Sequence, residues 1–403
     1  MAGPSFDEHL DAVWQRLSVT DRCSELNRPQ QRMKAGAEQL GWSFKPVHRN
    51  TDERSYSFET AGYLGFGDHT GAKQSTVKTY LRDAYERGAL LVTRCPAERI
   101  LVERDRAVGV ESAWFDPESG RCAQVRVRAA QVVVACGALE SPALLLRSGI
   151  GGPAVGQYLR LHPTTATVGY HDEDLEAWMG APQAGLVDEH ESIEHGHGFL
   201  IETPQYTTAL AASGLPYIDA HAHKSLMASF RHAATFIAVL RDRGHGRVTV
   251  DHDGNAVVHY EVSDELDVRN AQRAIAAQAR LHAAAGAGRI LAAADGDDAP
   301  AWRRGESLEE LIAAAQRVPL GAGGWKLFSA HQMGTCRMGT DARTSVADPW
   351  GQLHHVTGVW IGDASAFPTA TGTNPMITIM ALGHRTAQAI AAATPRSARA
   401  TAA

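Results

Sequence analysis

The chain has 403 residues, of which 44% are hydrophobic and 21% charged, the balance of a globular protein that builds its core without disulfides or structural metals. A net charge of −6, with no long block of one sign, argues against a nucleic-acid or anionic-membrane surface. Cys23, Cys95, Cys122, Cys136 and Cys336 contain no C-x-x-C pair, the start lacks a signal peptide's basic head, and no apolar run reaches roughly 18 residues, so a cytoplasmic protein without a transmembrane segment is expected.

Phe6, Leu10, Val13, Trp14 and Leu17 recur at helical spacing and predict an amphipathic helix within a polar stretch reaching residue 60. A Gly-rich loop follows from Gly62 to Gly71, and a helix is predicted over 75–87 with Tyr80 and Leu81 on its apolar face. Short β-type runs are read at 89–93, 100–103, 108–114, 124–128 and 131–135. The last is a continuous apolar run, Val132-Val-Val-Ala-Cys-Gly, which marks a buried parallel strand ending in a glycine turn. Ser141-Pro142 predicts the next helix, with serine as N-cap and proline at the first helical position. Strand, glycine turn and helix together form a building block of dinucleotide-binding domains.

Beyond residue 158 the texture changes. Residues 247–251 and 256–262 alternate around Asp253-Gly254 and predict a hairpin. One helix is expected from Ser263 to Ala285 and another behind the capping box Ser307-Leu-Glu-Glu310. An antiparallel sheet backed by helices accounts for this stretch. The expected fold class is therefore α/β plus α+β. Residues 1–157 form a partial Rossmann-like domain, 158–328 a substrate-binding domain, 329–395 a return to the first domain, and 396–403 a disordered tail.

The densest chemical signal is C-terminal. His331-Gln-Met-Gly334-Thr335-Cys-Arg-Met338-Gly339 is followed by Gly362-Asp363-Ala364-Ser365 and then by Asn374-Pro375-Met376-Ile-Thr378. In this order, H-x-x-G-T-x-x-M-G, G-D-A-S and N-P-x-x-T resemble the C-terminal signature of the glucose–methanol–choline oxidoreductases. Gly71-Ala-Lys-Gln-Ser-Thr76 is most similar to the long-chain alcohol oxidase branch of that family. The segments 132–151 and Gly156–Pro163 resemble further pieces of it.

The resemblance implies FAD as cofactor and a small-molecule alcohol as substrate, with an electron acceptor that the sequence does not identify. It places His331 as the base that takes the alcohol proton, and Asn374 as the amide that holds the alcohol oxygen. A histidine titrates near the pH where such a base must work. The resemblance also puts Asp363 and Ala364 beside the cofactor's ribityl–pyrophosphate region, Asn374, Pro375 and Met376 at its ring, and the Ala97 backbone at the adenine.

Family members open with a strand, a G-x-G-x-x-G loop and a helix that meets the pyrophosphate. No such spacing occurs here: Gly149-Ile-Gly151-Gly and Gly321-Ala-Gly-Gly both fail it. The sequence is thus expected to be a truncated reading of a full enzyme, one part of a split enzyme completed by an N-terminal partner chain, or a non-catalytic remnant. His190, His195 and His197 with His221 and His223 superficially resemble metal ligands, but no recognisable scaffold anchors a third ligand, and no metal site is assigned.

Overall fold

A computed structural model describes residues 4–204, 207–217, 219–295 and 299–394; the predicted tail at 396–403 lies outside them. The larger sheet has seven antiparallel strands. Their spatial order is Ala301–Arg303, Arg289–Ala292, Thr164–Tyr170, Ala233–Leu240, Phe199–Glu202, Gly185–Val187 and Phe44–Pro46.

Side-chain alternation assigns each face of this sheet. Phe199, Ile201, Phe236, Ala238 and Leu240 pack under the helix Glu265–Ala284. Asp264 starts that helix by accepting from the Leu266 and Asp267 amides. His282, on its last turn, stacks on Phe236 with ring centroids 3.9 Å apart. Gly169 must be glycine there, because a Cβ would lie 2.3 Å from the His282 ring. A second helix, Arg28–Leu40, opens with the reciprocal Asn27–Gln30 capping box and ends on left-handed Gly41. It crosses closely over Glu265–Ala284, since a Cβ on Gly36 would sit 2.8 Å from the Leu281 carbonyl. Residues 28–46, grouped with the first domain at the sequence level, therefore pack on the second sheet.

The opposite exchange also occurs. The predicted hairpin forms as Gly246–Val250 and Ala256–His259, but it pairs with Gln157–Leu159. Arg147 holds its tip through the Gly254 carbonyl at 2.7 Å. Arg147 belongs to the helix Gly137–Ser148 of the first region, so the hairpin packs there.

The first region also holds two further small sheets. Val132–Val134 and Val359–Ile361 pair in parallel; Ala97–Glu103, Arg106–Phe115 and Cys122–Arg128 form an antiparallel three-stranded sheet. The N-terminal helix Pro4–Arg16 lies against the C-terminal helix Met376–Ala393, with Nδ1 of His9 and Nδ1 of His384 3.0 Å apart.

Three local expectations are corrected. The helix predicted over 75–87 spans only Tyr80–Glu86, because 75–79 folds into turns. Residues 89–93 form no strand; Leu90 is 90% exposed, so these apolar side chains have no sheet to join. The helix predicted from Ser141-Pro142 begins at Gly137 instead, and Pro142 lies inside it. A proline there leaves the carbonyl four residues back without its N–H donor. That carbonyl belongs to Ala138, and the Thr335 hydroxyl supplies the missing donor at 2.6 Å.

Candidate active site

The C-terminal motifs are adjacent because they form one ladder. The Gly334, Cys336 and Met338 amides donate to the carbonyls of Ala364, Ser365 and Ala366 at 2.9–3.1 Å. On the other side Arg160 and Met333 exchange backbone bonds at 2.9 and 3.0 Å. Gly334 has φ +90°, and a Cβ there would lie 2.6 Å from the Tyr158 carbonyl, which is why the motif carries glycine at this step.

His331 sits at the end of this ladder. Its amide donates to the Ser329 hydroxyl at 3.2 Å, and that hydroxyl donates in turn to the Leu161 carbonyl. Its Nδ1 lies 3.1 Å from Nδ1 of His162, with the rings nearly perpendicular. His162 is held from two sides. The carboxylate of fully buried Asp242 accepts the Leu161 and His162 amides at 2.9 and 3.2 Å and the Tyr260 hydroxyl at 2.8 Å. Those bonds sustain the left-handed φ of +50° at His162. On its other nitrogen, Nε2, His162 accepts the Gly372 amide at 3.1 Å.

These contacts fix the protons. A backbone N–H can only donate, so Nε2 of His162 is the bare nitrogen. Burial, reinforced by His331 and Arg241, pushes the His162 pKa down to about 3, so its one proton resides on Nδ1. That proton is donated to Nδ1 of His331, leaving the hydrogen of neutral His331 on Nε2. Burial alone pushes the His331 pKa down to about 4.

Gly372 precedes Asn374 by two residues, so His162 ties the His331 loop to the Asn374 loop. Asn374 donates from Nδ2 to Oε2 of Glu202 at 3.3 Å, and Glu202 also accepts from Gln183 Nε2 at 3.0 Å. Beyond Asn374, buried Pro375 leads into the helix Met376–Ala393, whose N-terminus has no side-chain cap. Met376 is 40% exposed there. The free amides of a first helical turn suit a ligand carrying or developing negative charge.

Of the remaining predicted residues, Asp363 and Ala364 stand in the turn and ladder beside this centre, whereas Ala97 lies in a separate sheet. Asp363 accepts from the Gly137 and Ser365 amides at 2.8 Å and from the Ser141 and Ser365 hydroxyls. Its oxygens organise the two strand-to-helix turns. Ala364 is buried within the ladder. Ala97 opens the strand opposite Ser112, in the three-stranded sheet. Gly137, at φ +84° with open space where a Cβ would stand, follows the C-terminal end of Val132–Val134. Ligands of parallel α/β sheets bind at such ends, so the open glycine and the uncapped helix fit a flavin dinucleotide.

The suspected metal histidines are dispersed. His190 packs against Trp42 and Phe199, His197 meets the Arg241 carbonyl at 2.9 Å, and His223 contacts Tyr217.

Three residues of the centre carried no sequence assignment. His162 was visible only within the Gly156–Pro163 segment, and Asp242 and Glu202 lie in a stretch that carries no recognisable motif. No local signal distinguishes a buried acid from a solvated one.

An apolar cavity of 390 Å³ lies on the sheet face away from Glu265–Ala284. Ala166, Val168, Leu210, Leu215, Ile237 and Phe328 line it. Phe328 also borders an open cleft with Leu161 and Ser329, and it stands three residues before His331.

Two sequence models of one family, both described as GMC oxidoreductase, match residues 2–164 and 242–383. The chain is 31% identical over 398 residues to long-chain-alcohol oxidase FAO4B of Arabidopsis thaliana, covering 94% of this chain and 52% of that protein. It is 33% identical over 376 residues to the uncharacterized GMC-type oxidoreductase Rv0492c of Mycobacterium tuberculosis strain H37Rv, covering 93% of this chain and 56% of that protein. The chain thus spans about half the length of the curated relatives it matches. Among solved structures, pyridoxine 4-oxidase from Mesorbium loti superposes with a TM-score of 0.64 at 17% identity, covering 90% of this chain and 69% of that one. Formate oxidase of Aspergillus oryzae RIB40 gives 0.65 at 14%, covering 90% and 70%.

Proposed function

We propose that this chain, which belongs to the GMC oxidoreductase family, oxidises an alcohol with an extended apolar body to the carbonyl compound, with His331 and Asn374 at the reacting carbon. FAD is the cofactor, and when bound it supplies the hydride acceptor.

The observation that carries the reading is His331 itself: half-buried, neutral, and joined through His162 to the Asn374 loop. In the resting tautomer its Nε2–H donates to the alcohol oxygen and orients it. The second hydrogen of the Asn374 amide holds the same oxygen. Taking the alcohol proton at Nε2 requires the opposite tautomer, in which His331 Nδ1–H donates to His162. Nε2 of His162 then carries a hydrogen facing the Gly372 N–H, so that contact opens as His331 becomes the base. The apolar cavity beyond Phe328 supports a substrate with a hydrocarbon body, in keeping with the long-chain-alcohol oxidases among the relatives. Five unpaired cysteines suit a reducing, cytoplasmic setting.

A second reading has a specific observation behind it. Val133 is 50% exposed in the parallel pair, and Leu91 and Val92 elsewhere in the first region are also exposed. Such a surface suits a flavin domain completed by a further polypeptide segment, such as an N-terminal partner chain.

One experiment separates the two: visible absorption of the purified chain before and after excess FAD and desalting. Retained flavin bands that bleach with a long-chain alcohol support the first reading. A colourless protein that gains no flavin supports the second. In a flavin-loaded preparation, His331→Ala is expected to lower turnover by about 10²–10⁴-fold with the flavin spectrum unchanged; a smaller loss removes His331 from the base role.

A further inference from the structure

Glu202 closes the strand Phe199–Glu202, and its pairing register sets its direction. It stands opposite Ile237 on one neighbouring strand and Leu186 on the other. Directly paired residues share a face, so Glu202 lies on the face whose Ala166, Thr235 and Ile237 line the apolar cavity. It is 1% exposed. Its surroundings are Gln183, Leu186, Ile237 and Asn374, and no charged side chain pairs with it among the described residues.

Burial pushes its pKa up, only partly opposed by the Asn374 and Gln183 amides. Each of these two hydrogen-bonded side chains has one buried oxygen without a partner: Oε1 of Glu202 and Oδ1 of Asn374. Both are bare acceptors when the acid is ionised, and two such atoms in a buried contact are costly. One hydrogen on Oε1 satisfies both.

We propose that Glu202 is a positioning residue that grips the Asn374 side chain through a two-way acid–amide pair. Its carboxyl O–H donates to Asn374 Oδ1, and Asn374 Nδ2–H donates to its other oxygen. The inference rests on the proposed role of Asn374 and extends it. The pair prevents the amide from flipping, and Gln183 holds the acid by donating to the same Oε2 that accepts from Asn374. One Nδ2 hydrogen then points permanently toward the alcohol oxygen.

The test begins with infrared spectra of the full chain at neutral pH. A carbonyl band of a protonated carboxyl is expected in wild type, absent in Glu202→Gln and displaced in Asn374→Ala. Turnover of the flavin-loaded protein is the second reading. Glu202→Gln can form an amide–amide pair of the same shape and is expected to stay within about threefold of wild type, whereas Glu202→Leu loses about 10–100-fold in kcat with little change in KM. In the Asn374→Ala background, Glu202→Leu is expected to cost nothing more.

Loss of the band in no variant, or additive losses in the double variant, overturns the proposal. Should Glu202→Leu fail to fold, the infrared comparison with Glu202→Gln still decides it. Should no variant, wild type included, oxidise an alcohol, the proposed function falls while the band still reports the pair.

Discussion

Two strands with almost the same sequence character behave differently in this molecule. Val132–Val134 is a run of three valines, and Phe199–Glu202 begins Phe-Leu-Ile. Every residue of the second is buried, because strands flank it on both sides and a helix covers one face. The first pairs, among the described residues, on one edge only, and its middle valine is half exposed. Burial is therefore set by how many layers surround a strand, not by how apolar it is. The seven-stranded sheet is enclosed, and the parallel pair is open.

The largest expected effect contrasts the cores directly. Phe236→Ala removes a fully buried ring from the enclosed sheet and is expected to cost about 3–5 kcal/mol. Val133→Ala in the open pair is expected to stay within about 0.5 kcal/mol. Denaturant unfolding of both variants checks this; similar costs would mean that Val133 is covered in solution and the contrast is false.

Next comes Thr335→Val. It strips the donor from the Ala138 carbonyl that Pro142 leaves bare. A cost of about 1–3 kcal/mol is expected for the orphaned carbonyl. Thr335→Ser, which keeps the hydroxyl, should recover most of it, and failure to do so would mean that the hydroxyl bond to Ala138 is not what the site depends on.

Acid sharpens the comparison further, since the enclosed sheet buries His282. Burial, with a smaller contribution from His171, lowers its pKa to about 3, against 6.5 when unfolded. Below pH 6.5 the unfolded chain takes up this proton and the folded one does not. The stability from neutral His282 is therefore complete above pH 6.5 and drains as pH falls toward 3, at up to about 1.4 kcal/mol per pH unit. His282→Phe keeps the stack on Phe236 and is expected to flatten that slope. An unchanged slope would trace the acid sensitivity to other groups.

Much of this was legible beforehand where the signal is local. The Asp253-Gly254 hairpin, the Ser307 cap and the helix over residues 265–284 follow from turn chemistry and periodicity. What failed was whatever depends on a distant partner. Ser141-Pro142 has the form of a helix start, but Gly137 can open the helix earlier and Thr335, far along the chain, repairs the proline's missing bond. Residues 89–93 have strand composition without a neighbour to pair with. In the candidate site, His331 and Asn374 stood in a compound motif, whereas Glu202 acquires meaning only from the register that sets it against Ile237 and beside Asn374. Register is a property of paired strands and leaves no trace in one of them.

The smallest effect concerns the apolar cavity on the face of the seven-stranded sheet away from Glu265–Ala284. If Ala166, Val168, Leu210, Leu215 and Ile237 receive the body of the alcohol, each added methylene leaves water for an apolar wall. That transfer is worth about 0.8 kcal/mol, or roughly fourfold in kcat/KM. A series of straight-chain alcohols should therefore rise about fourfold per carbon until the 390 Å³ is filled, and then level off. Ile237→Asp sets a charge in the middle of that wall and should abolish the rise while leaving the shortest alcohols nearly unaffected. If short and long alcohols react alike in wild type, the hydrocarbon body lies elsewhere, and the open cleft beside Leu161 and Ser329 becomes the place to look.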